Sequence, residues 1–238
     1  MAQEKRNELP PRHELKYYIN RAELEVLRAR LRPVLDMDSH CVDGRPYAIR
    51  SLYFDDAFDS AYYDKLQGVM DRDKYRIRIY NYSDEVIFLE RKRKMGDLIQ
   101  KSSVRITRRL CDQLTAGDPA GLQNAPNELL HDMFVQMRTK LLRPAVLVDY
   151  EREAYVHPAE NLRITLDLTL RSGLFDRDLF DPQAPAVSPL DRDLEILEVK
   201  YDYAMPAPAA ALLSGLAAER SAVSKYVLCR RFEPLAGD

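Results

Sequence analysis

Several segments of this sequence alternate charged and apolar residues with the two-residue period of a β-strand. In residues 74–80, every second position is a cation (Lys74, Arg76 and Arg78) and the positions between them are tyrosine or isoleucine. Because side chains alternate between the two faces of a strand, the three cations share one face. Residues 88–92 and 196–201 alternate in the same way, the latter with Glu198 and Lys200 on one face. A curled sheet of such strands would line a channel with cations and a few carboxylates, which suits a chain of phosphates held with a divalent metal.

The overall charge narrows the class of partner. The chain has 238 residues, enough for one large domain with a proper core, and a formal net charge of -2. The cationic strands are therefore balanced by acids elsewhere in the sequence. This balance argues against a nucleic-acid-binding protein held by a broad basic surface. We expect no nucleic-acid partner and a positive charge concentrated in one internal place.

The cysteines and the hydropathy pattern indicate a soluble protein of a reducing compartment. Cys41, Cys111 and Cys229 are far apart and lack metal-ligand spacing. The polar first residues predict no signal peptide, and no segment reaches the ~18 apolar residues of a membrane span. We therefore expect a cytoplasmic protein without direct membrane insertion.

The order of the predicted elements indicates an α+β fold. A strand over residues 12–19 leads to Asn20, which with Glu23 forms a capping box that starts a helix. Further strands are predicted at about 47–55, 74–81, 85–93, 98–107, 145–155, 162–170 and 193–201. Further helices are predicted at about 56–66, 128–142, 207–218 and 221–231. About eight strands without a βαβ rhythm, a repeat or a linker predict one domain, residues 1–238, built on a closed antiparallel barrel with flanking helices.

Six short motifs follow one another along the chain: Arg12-x-Glu14-x-Lys16, Tyr53-Phe54-Asp55, Tyr75-Arg76-Ile77-Arg78, Leu89-Glu90-Arg91-Lys92, Leu197-Glu198-Val199-Lys200 and Ser224-Lys225-Tyr226. In this order they resemble the VTC domain, the catalytic domain of the vacuolar transporter chaperone polyphosphate polymerase. That domain is a member of the triphosphate tunnel metalloenzyme superfamily. The resemblance covers about residues 10–232. The chain looks like a bacterial stand-alone version of this domain, without the phosphate-sensing and membrane domains of the fungal protein.

The resemblance implies an eight-stranded antiparallel tunnel, a nucleoside triphosphate substrate and a divalent metal, Mn²⁺ or Mg²⁺. We expect catalytic phosphate contacts from Arg76, Arg78, Lys92, Arg152 and Lys200. We expect further phosphate contacts from Arg12, Lys16, Arg50, Lys101, Arg105, Tyr150, Ser224 and Lys225. Glu198 resembles the metal-binding glutamate of the family, with Glu14 and Glu90 as helpers, and the role of Asp167 is left open. The family pattern has a lysine two residues before the serine, where this chain has Ala222.

The residue types suit phosphoryl transfer independently of the resemblance. Guanidinium groups two positions apart on one strand, as in Arg76 and Arg78, give bidentate and permanently charged phosphate contacts. Glu198 and Lys200 would place a metal ligand and a phosphate ligand one strand step of about 7 Å apart. The alternative is an ordinary solvated strand face with a cross-strand ion pair. Glycine totals only 8 and no glycine-rich phosphate loop is present, so side-chain cations must bind the phosphates.

Three functions remain open from the sequence. The leading hypothesis is a metal-dependent polyphosphate polymerase that takes the γ-phosphate of ATP and adds it to polyphosphate. The second is a hydrolase of the same superfamily that cleaves tripolyphosphate or a nucleoside triphosphate with water. The third is a non-catalytic module that binds polyphosphate. For the polymerase, ATP and polyphosphate are the expected partners, and export of the product would require a separate membrane protein.

Overall fold

The computed structural model describes residues 13–96, 98–218, 220–233 and 235 of the chain. Within these residues the strands are β1 (His13–Asn20), β2 (Asp36–Met37), β3 (Tyr47–Asp55), β4 (Arg72–Tyr80), β5 (Ser83–Met95), β6 (Leu98–Ile106), β7 (Arg143–His157), β8 (Leu162–Gly173), β9 (Ala186–Val187) and β10 (Leu194–Tyr201). The helices are α1 (Arg21–Leu31), α2 (Ser60–Leu66), α3 (Arg108–Thr115), α4 (Glu128–Thr139), α5 (Ala207–Leu213) and α6 (Lys225–Arg230).

One antiparallel sheet organises the molecule. Eight strands follow one another in the order β1, β10, β8, β7, β3, β4, β5 and β6, and the short strands β2 and β9 pair with β7 and β8. The predicted α+β class and antiparallel pairing are confirmed. The predicted closed eight-stranded barrel is not, because the described sheet has ten strands and β1 and β6 share no ladder. Alternation of residue types predicts strands but does not predict whether the two edges of a sheet meet, and two-residue strands are too short to show alternation.

The capping box predicted at Asn20 is present and starts α1. The side chain of Asn20 accepts from the backbone N–H of Glu23, and the Glu23 carboxylate accepts from the backbone N–H of Asn20, both at 2.9 Å. The last two predicted helices are shorter than expected. α5 ends at Leu213, two residues before Gly215, whose φ of 73° is left-handed. α6 begins only at Lys225, where Ser224 caps it.

Helices cover the apolar face of the sheet. Leu52, Ile77 and Leu89 on β3, β4 and β5 are fully buried in a cluster that includes residues of α3 and α4. On the other side of the sheet's curl, Leu197 of β10 and Leu27 of α1 belong to a second buried cluster. Because side chains alternate, covering these positions with helices leaves the charged positions of the same strands on the opposite, inner face.

The terminal helix α6 is anchored beside the inner face. The Tyr226 hydroxyl donates to the buried carboxylate of Asp55, which also accepts the backbone N–H groups of Ala61 and Tyr62 at the start of α2. A buried Arg230 guanidinium donates to Asp59 at 2.7 Å. These contacts fix the first turn of α6, and with it Ser224 and Lys225, against the inside of the sheet.

Candidate active site

The inner face of the curled sheet carries a dense set of charges, here named the inner cluster. Its cations are Lys16, Lys74, Arg76, Arg78, Lys92, Lys101, Arg152, Lys200 and Lys225. Its carboxylates are Glu14, Glu90, Asp167 and Glu198. All of these side chains are buried or half-buried. Nine cations against four carboxylates leave an excess of positive charge in an enclosed place.

Glu90 on β5 is held by cations from both neighbouring strands. Arg76 of β4 donates to it through Nε at 2.7 Å, and Lys101 of β6 lies 2.5 Å away. Arg78 approaches the same carboxylate at 4.0 Å and donates to the Ser51 hydroxyl at 3.1 Å. Burial alone would raise the pKa of Glu90, but the charges of Arg76, Arg78 and Lys101 outweigh burial and hold it well below its usual value.

A lysine joins the two carboxylates of the β1–β10 pair. Lys16 lies 2.8 Å from Glu14 and 3.4 Å from Glu198, and Lys200 also contacts Glu198. Lys92 of β5 contacts the other oxygen of Glu14 at 2.7 Å. Burial opposes ionisation of Glu14 and Glu198, but the surrounding lysines keep the pKa of each well below its usual value. Both carboxylates are therefore ionised near neutral pH.

Asp167 on β8 forms a third centre with two buried cations. Arg152 of β7 binds it in bidentate fashion at 2.6 and 2.8 Å, and Lys225 of α6 lies 2.5 Å away. The Tyr150 ring lies beneath both cations, 5.3 Å from the Arg152 guanidinium and 4.9 Å from the Lys225 ammonium. Burial would raise the pKa of Asp167, yet Arg152 and Lys225 lower it to about 2.

Lys74 differs from the other cations of the inner cluster. Its ammonium donates to Ser224 at 3.3 Å and lies 5.0 Å from the Tyr226 ring, with no described carboxylate in ion-pair contact. Burial, together with the charges of Arg72 and nearby lysines, lowers the pKa of Lys74 to about 7. An anion entering the site would find this lysine without a competing carboxylate.

The structure separates two predicted phosphate ligands from the inner cluster. Arg50 lies on the opposite face of β3, where it is buried and donates to Asp149 at 2.9 Å. Arg105 is exposed and donates to the backbone carbonyl of Glu85. Arg12 lies outside the described residues. The other predicted residues (Lys16, Arg76, Arg78, Lys92, Lys101, Tyr150, Arg152, Lys200, Ser224, Lys225 and the three glutamates) all line or contact the inner cluster, and their binding roles stay predictions.

Four inner residues were not among the predicted site residues. Tyr53 accepts from Arg76 at 2.8 Å, and Ser51 accepts from Arg78. The other two are Lys74, which the sequence predicts to share a strand face with Arg76 and Arg78, and Asp167. Alternation points to Lys74, since it shares the face of Arg76 and Arg78. It gives no such signal for Ser51 and Tyr53, because both faces of β3 carry apolar residues.

The donor set fits a hard divalent cation in part. Mg²⁺ and Mn²⁺ favour oxygen ligands and are commonly held by one or two carboxylates together with substrate phosphates. Glu14 and Glu198 provide such a pair, because both are ionised and both approach Lys16. Glu90 lies apart from them, surrounded by Arg76, Arg78 and Lys101. Within the described part of the chain, no three carboxylate, histidine or cysteine residues form a complete metal site, so phosphate oxygens would have to complete the coordination.

The curled antiparallel sheet with its inner cations and carboxylates agrees with the tunnel architecture that the resemblance to the VTC domain implies. This chain has the same fold as HpAC1 from Hippeastrum, at 16% sequence identity. HpAC1 is named as an adenylyl cyclase and is described as having a dominant triphosphatase activity. The match covers 94% of this chain and 97% of that chain, with a TM-score of 0.56. The family model of the VTC domain matches residues 11–232. The chain belongs to the VTC domain family, as the six motifs predicted.

Two further solved structures are more distant. The PH1819 protein of Pyrococcus horikoshii OT3 shares 12% identity over 91% of this chain and 97% of that chain, with a TM-score of 0.44. A Bacillus halodurans protein assigned as an adenylate cyclase shares 12% identity over 86% of this chain and 87% of that chain, with a TM-score of 0.46. A search of curated proteins finds no significant match. No described helix is long and apolar enough to cross a membrane.

Proposed function

We propose that this protein is a metal-dependent polyphosphate polymerase that transfers the γ-phosphate of ATP to polyphosphate and releases ADP. The observation that carries the proposal is the excess of enclosed cations over carboxylates in the inner cluster of a VTC domain. Phosphoryl transfer needs its reacting groups in line and the charge on the phosphate oxygens neutralised. A site that is net positive and lined by side chains from several strands meets both needs.

Arg76 and Arg78 are the central phosphate ligands in this proposal. Each makes a hydrogen bond to a hydroxyl group, to Tyr53 at 2.8 Å and to Ser51 at 3.1 Å, which orients its guanidinium. Their one shared carboxylate, Glu90, leaves guanidinium donors for a phosphate. Lys92, Arg152 and Lys200 face them from β5, β7 and β10 and neutralise the rest of the phosphate chain.

The reaction requires no general base from the protein. A terminal oxygen of polyphosphate attacks the γ-phosphorus of ATP, a new P–O bond forms, and the bond between that phosphorus and the β–γ bridging oxygen breaks. The electron pair remains on the β-phosphate of the departing ADP. Because the attacking oxygen is already anionic, the task of the residues is to hold two anions together and to stabilise the transferred group.

Glu198 and Glu14 are the residues that would hold the divalent metal, with Mn²⁺ or Mg²⁺ as the proposed ion. When bound, such an ion would neutralise negative charge on the phosphate oxygens. Lys16, which now contacts both carboxylates, would then be released to contact phosphate. The contacts of Glu90 with Arg76 and Lys101 suit a role in orienting these two cations. The sequence also predicts that Glu90 helps to bind the metal, and that role stays a prediction.

The test is to incubate purified protein with ATP and Mn²⁺ and to measure polyphosphate on a gel together with ADP. Long polymer and ADP in proportion are expected. The double variant Arg76→Ala/Arg78→Ala should lose the activity, whereas Arg109→Ala/Arg138→Ala, which removes two exposed arginines of α3 and α4, should keep it. Free phosphate without polymer would show that the protein is a triphosphatase and not a polymerase. If ATP is not consumed but polyphosphate still binds, the protein would be a non-catalytic binding module.

A further inference from the structure

One buried hydroxyl group on the inner face of the sheet has no hydrogen-bond partner. Thr165 of β8 is 1% exposed, and within the described part of the chain its side-chain oxygen makes no hydrogen bond. Thr165 lies two residues before Asp167, so both side chains point to the inner face. Ile164 and Leu166 point the other way, into the buried cluster that includes residues of α1. A buried hydroxyl without a partner is destabilising and rare, so its presence at this position requires an explanation.

Thr165 lies in one row with Glu198 across the sheet. The ladders place Lys16 of β1 opposite Glu198 of β10, and Glu198 opposite Thr165 of β8. On its other side, Thr165 is opposite Ala154 of β7. Side chains directly opposite each other in antiparallel strands have their Cβ atoms about 4.5–5.5 Å apart. The Thr165 hydroxyl is therefore a neighbour of the Glu198 carboxylate and has only the methyl group of Ala154 on its other side.

The strand position does not by itself explain a threonine. Threonine is common in strands because it is β-branched, but valine is too, and valine would fill the same space without an unpaired hydroxyl. The carboxylate of Glu198 contacts Lys16 with one oxygen and Lys200 with the other, and Thr165 takes part in neither contact. The hydroxyl oxygen therefore lies beside a carboxylate with both of its lone pairs unused.

An uncharged oxygen beside a carboxylate suits a cation better than an anion. A phosphate placed at Thr165 would face the negative charge of Glu198, whereas a cation there would be attracted to it. Mg²⁺ and Mn²⁺ take oxygen ligands, and in nucleotide-binding P-loops a serine or threonine hydroxyl is one of the groups that hold Mg²⁺. Thr165 adds an oxygen donor next to Glu198 without adding positive charge.

We propose that the Thr165 hydroxyl is a ligand of the divalent metal, together with Glu198 and Glu14. The hydroxyl would bind through a lone pair of Oγ1 as a neutral ligand and would keep its proton. This inference rests on the proposed function for the presence of the metal, and it adds a third protein oxygen to the two carboxylates. It also explains why a hydroxyl is kept in a buried position where the protein itself gives it no partner.

The test measures Mn²⁺ binding directly, from the loss of the electron paramagnetic resonance signal of free Mn²⁺, without nucleotide or phosphate. It compares Thr165→Val with Thr165→Ser and with the control Thr139→Val, which removes the hydroxyl of an exposed threonine of α4. Thr165→Val should bind Mn²⁺ about tenfold more weakly than the wild type. Thr165→Ser keeps the hydroxyl, so both it and the control should bind Mn²⁺ like the wild type.

A second measurement separates a metal ligand from a residue that only supports packing. Without metal, Thr165→Val removes an unpaired hydroxyl and keeps the shape of the side chain, so its midpoint of urea denaturation should equal or exceed that of the wild type. Its affinity for tripolyphosphate, measured without metal, should not change. Metal affinity and stability are thus expected to move in different directions, which a purely structural role would not produce.

Four results would overturn the inference. The first is a Thr165→Val protein that binds Mn²⁺ as the wild type does, and the second is an equal loss of Mn²⁺ affinity in Thr165→Ser. The third is weaker Mn²⁺ binding together with a lower urea midpoint, and the fourth is a loss of tripolyphosphate affinity instead of Mn²⁺ affinity. If the wild type does not bind Mn²⁺, or if Glu198→Gln binds it equally well, the metal site of the proposed function fails instead, so the two failures are distinguishable.

Discussion

The ammonium of Lys92 on β5 lies 2.7 Å from a carboxylate oxygen of Glu14 on β1, although β1 is one edge of the sheet and β5 is next to the other edge strand, β6. The sheet path runs from β1 through β10, β8, β7, β3 and β4 before it reaches β5. Only strong curling can bring the two side chains together. The ion pair across the interior therefore helps to hold β1 near β5, whereas in a closed barrel backbone hydrogen bonds join the two edge strands.

This relationship predicts energetic coupling between Glu14 and Lys92. A double-mutant cycle of Glu14→Gln and Lys92→Met should give a coupling of about 1 kcal/mol in the free energy of unfolding. The value is small because 40% of the Lys92 side chain is exposed. The measurement is urea denaturation of the four proteins. In a control cycle, Lys92→Met and Glu151→Gln should be additive, and additivity in the Glu14 cycle would mean that the pair does not form in solution.

Glu198→Gln should separate catalysis from binding. The substitution removes the proposed metal ligand, so ADP release should fall about 100-fold or more. It also removes a negative charge that Lys16 and Lys200 contact, so polyphosphate affinity should be unchanged or higher. The measurements are turnover with ATP and Mn²⁺, and polyphosphate binding by fluorescence polarisation. Glu151→Gln, an exposed glutamate of β7, is the control. Equal loss of turnover and binding would contradict the metal-ligand role.

Charge alternation made the inner face predictable. In β4 the even-numbered positions from 72 to 78 are all cations and the opposite face is largely apolar, and in β10 Glu198 and Lys200 share a face opposite Leu197 and Val199, so the sequence alone predicts which of these side chains lie together. Arg76, Arg78 and Lys200 all lie in the inner cluster for this reason. Helix caps are equally local, and the box at Asn20 was predicted from four residues.

Other features depend on contacts that no local pattern contains. β3 has apolar residues on both faces, so its alternation did not show that Arg50 points away from Arg78. The contact of Lys225 with Asp167 joins residues 58 positions apart and depends on where α6 docks. Whether β1 and β6 share a ladder is also set by the curl of the whole sheet.

Binding at Lys74 should be coupled to proton uptake. Burial and neighbouring cations lower its pKa from 10.5 to about 7, so the ammonium loses its proton as the pH rises above about 7. Phosphate favours the charged form, so affinity for long-chain polyphosphate should fall from pH 7 to pH 9, by at most tenfold per pH unit for one proton. Binding titrations across this range test this. Lys74→Met should weaken the dependence and leave the part due to Lys101, whose pKa burial lowers to about 8. Lys74→Arg should retain more affinity than the wild type at pH 9, and a Lys74→Met profile that parallels the wild type would contradict the prediction.

Asp167→Asn should destabilise the protein in a pH-dependent way. At neutral pH the substitution leaves Arg152 and Lys225 buried without a counter-charge, which should cost about 3 kcal/mol. Asp167 has a pKa lowered from 3.8 to about 2, so the unfolded chain takes up the proton first. The stability that the carboxylate provides is thus complete above about pH 4 and is lost as the pH falls towards 2.

The stability difference between wild type and Asp167→Asn should therefore narrow as the pH falls from about 4 towards 2, as measured by urea denaturation. Asp193→Asn serves as the matched control, because 79% of that side chain is exposed and, among the described residues, it forms one long ion pair, with Arg21 at 3.7 Å. That variant should follow the wild type at every pH. The other inner carboxylates are present in both proteins, so the difference reports on Asp167 and on Glu198, which also feels the charges of Arg152 and Lys225. A gap that stays constant down to pH 3 would mean that the ionised Asp167 does not balance Arg152 and Lys225.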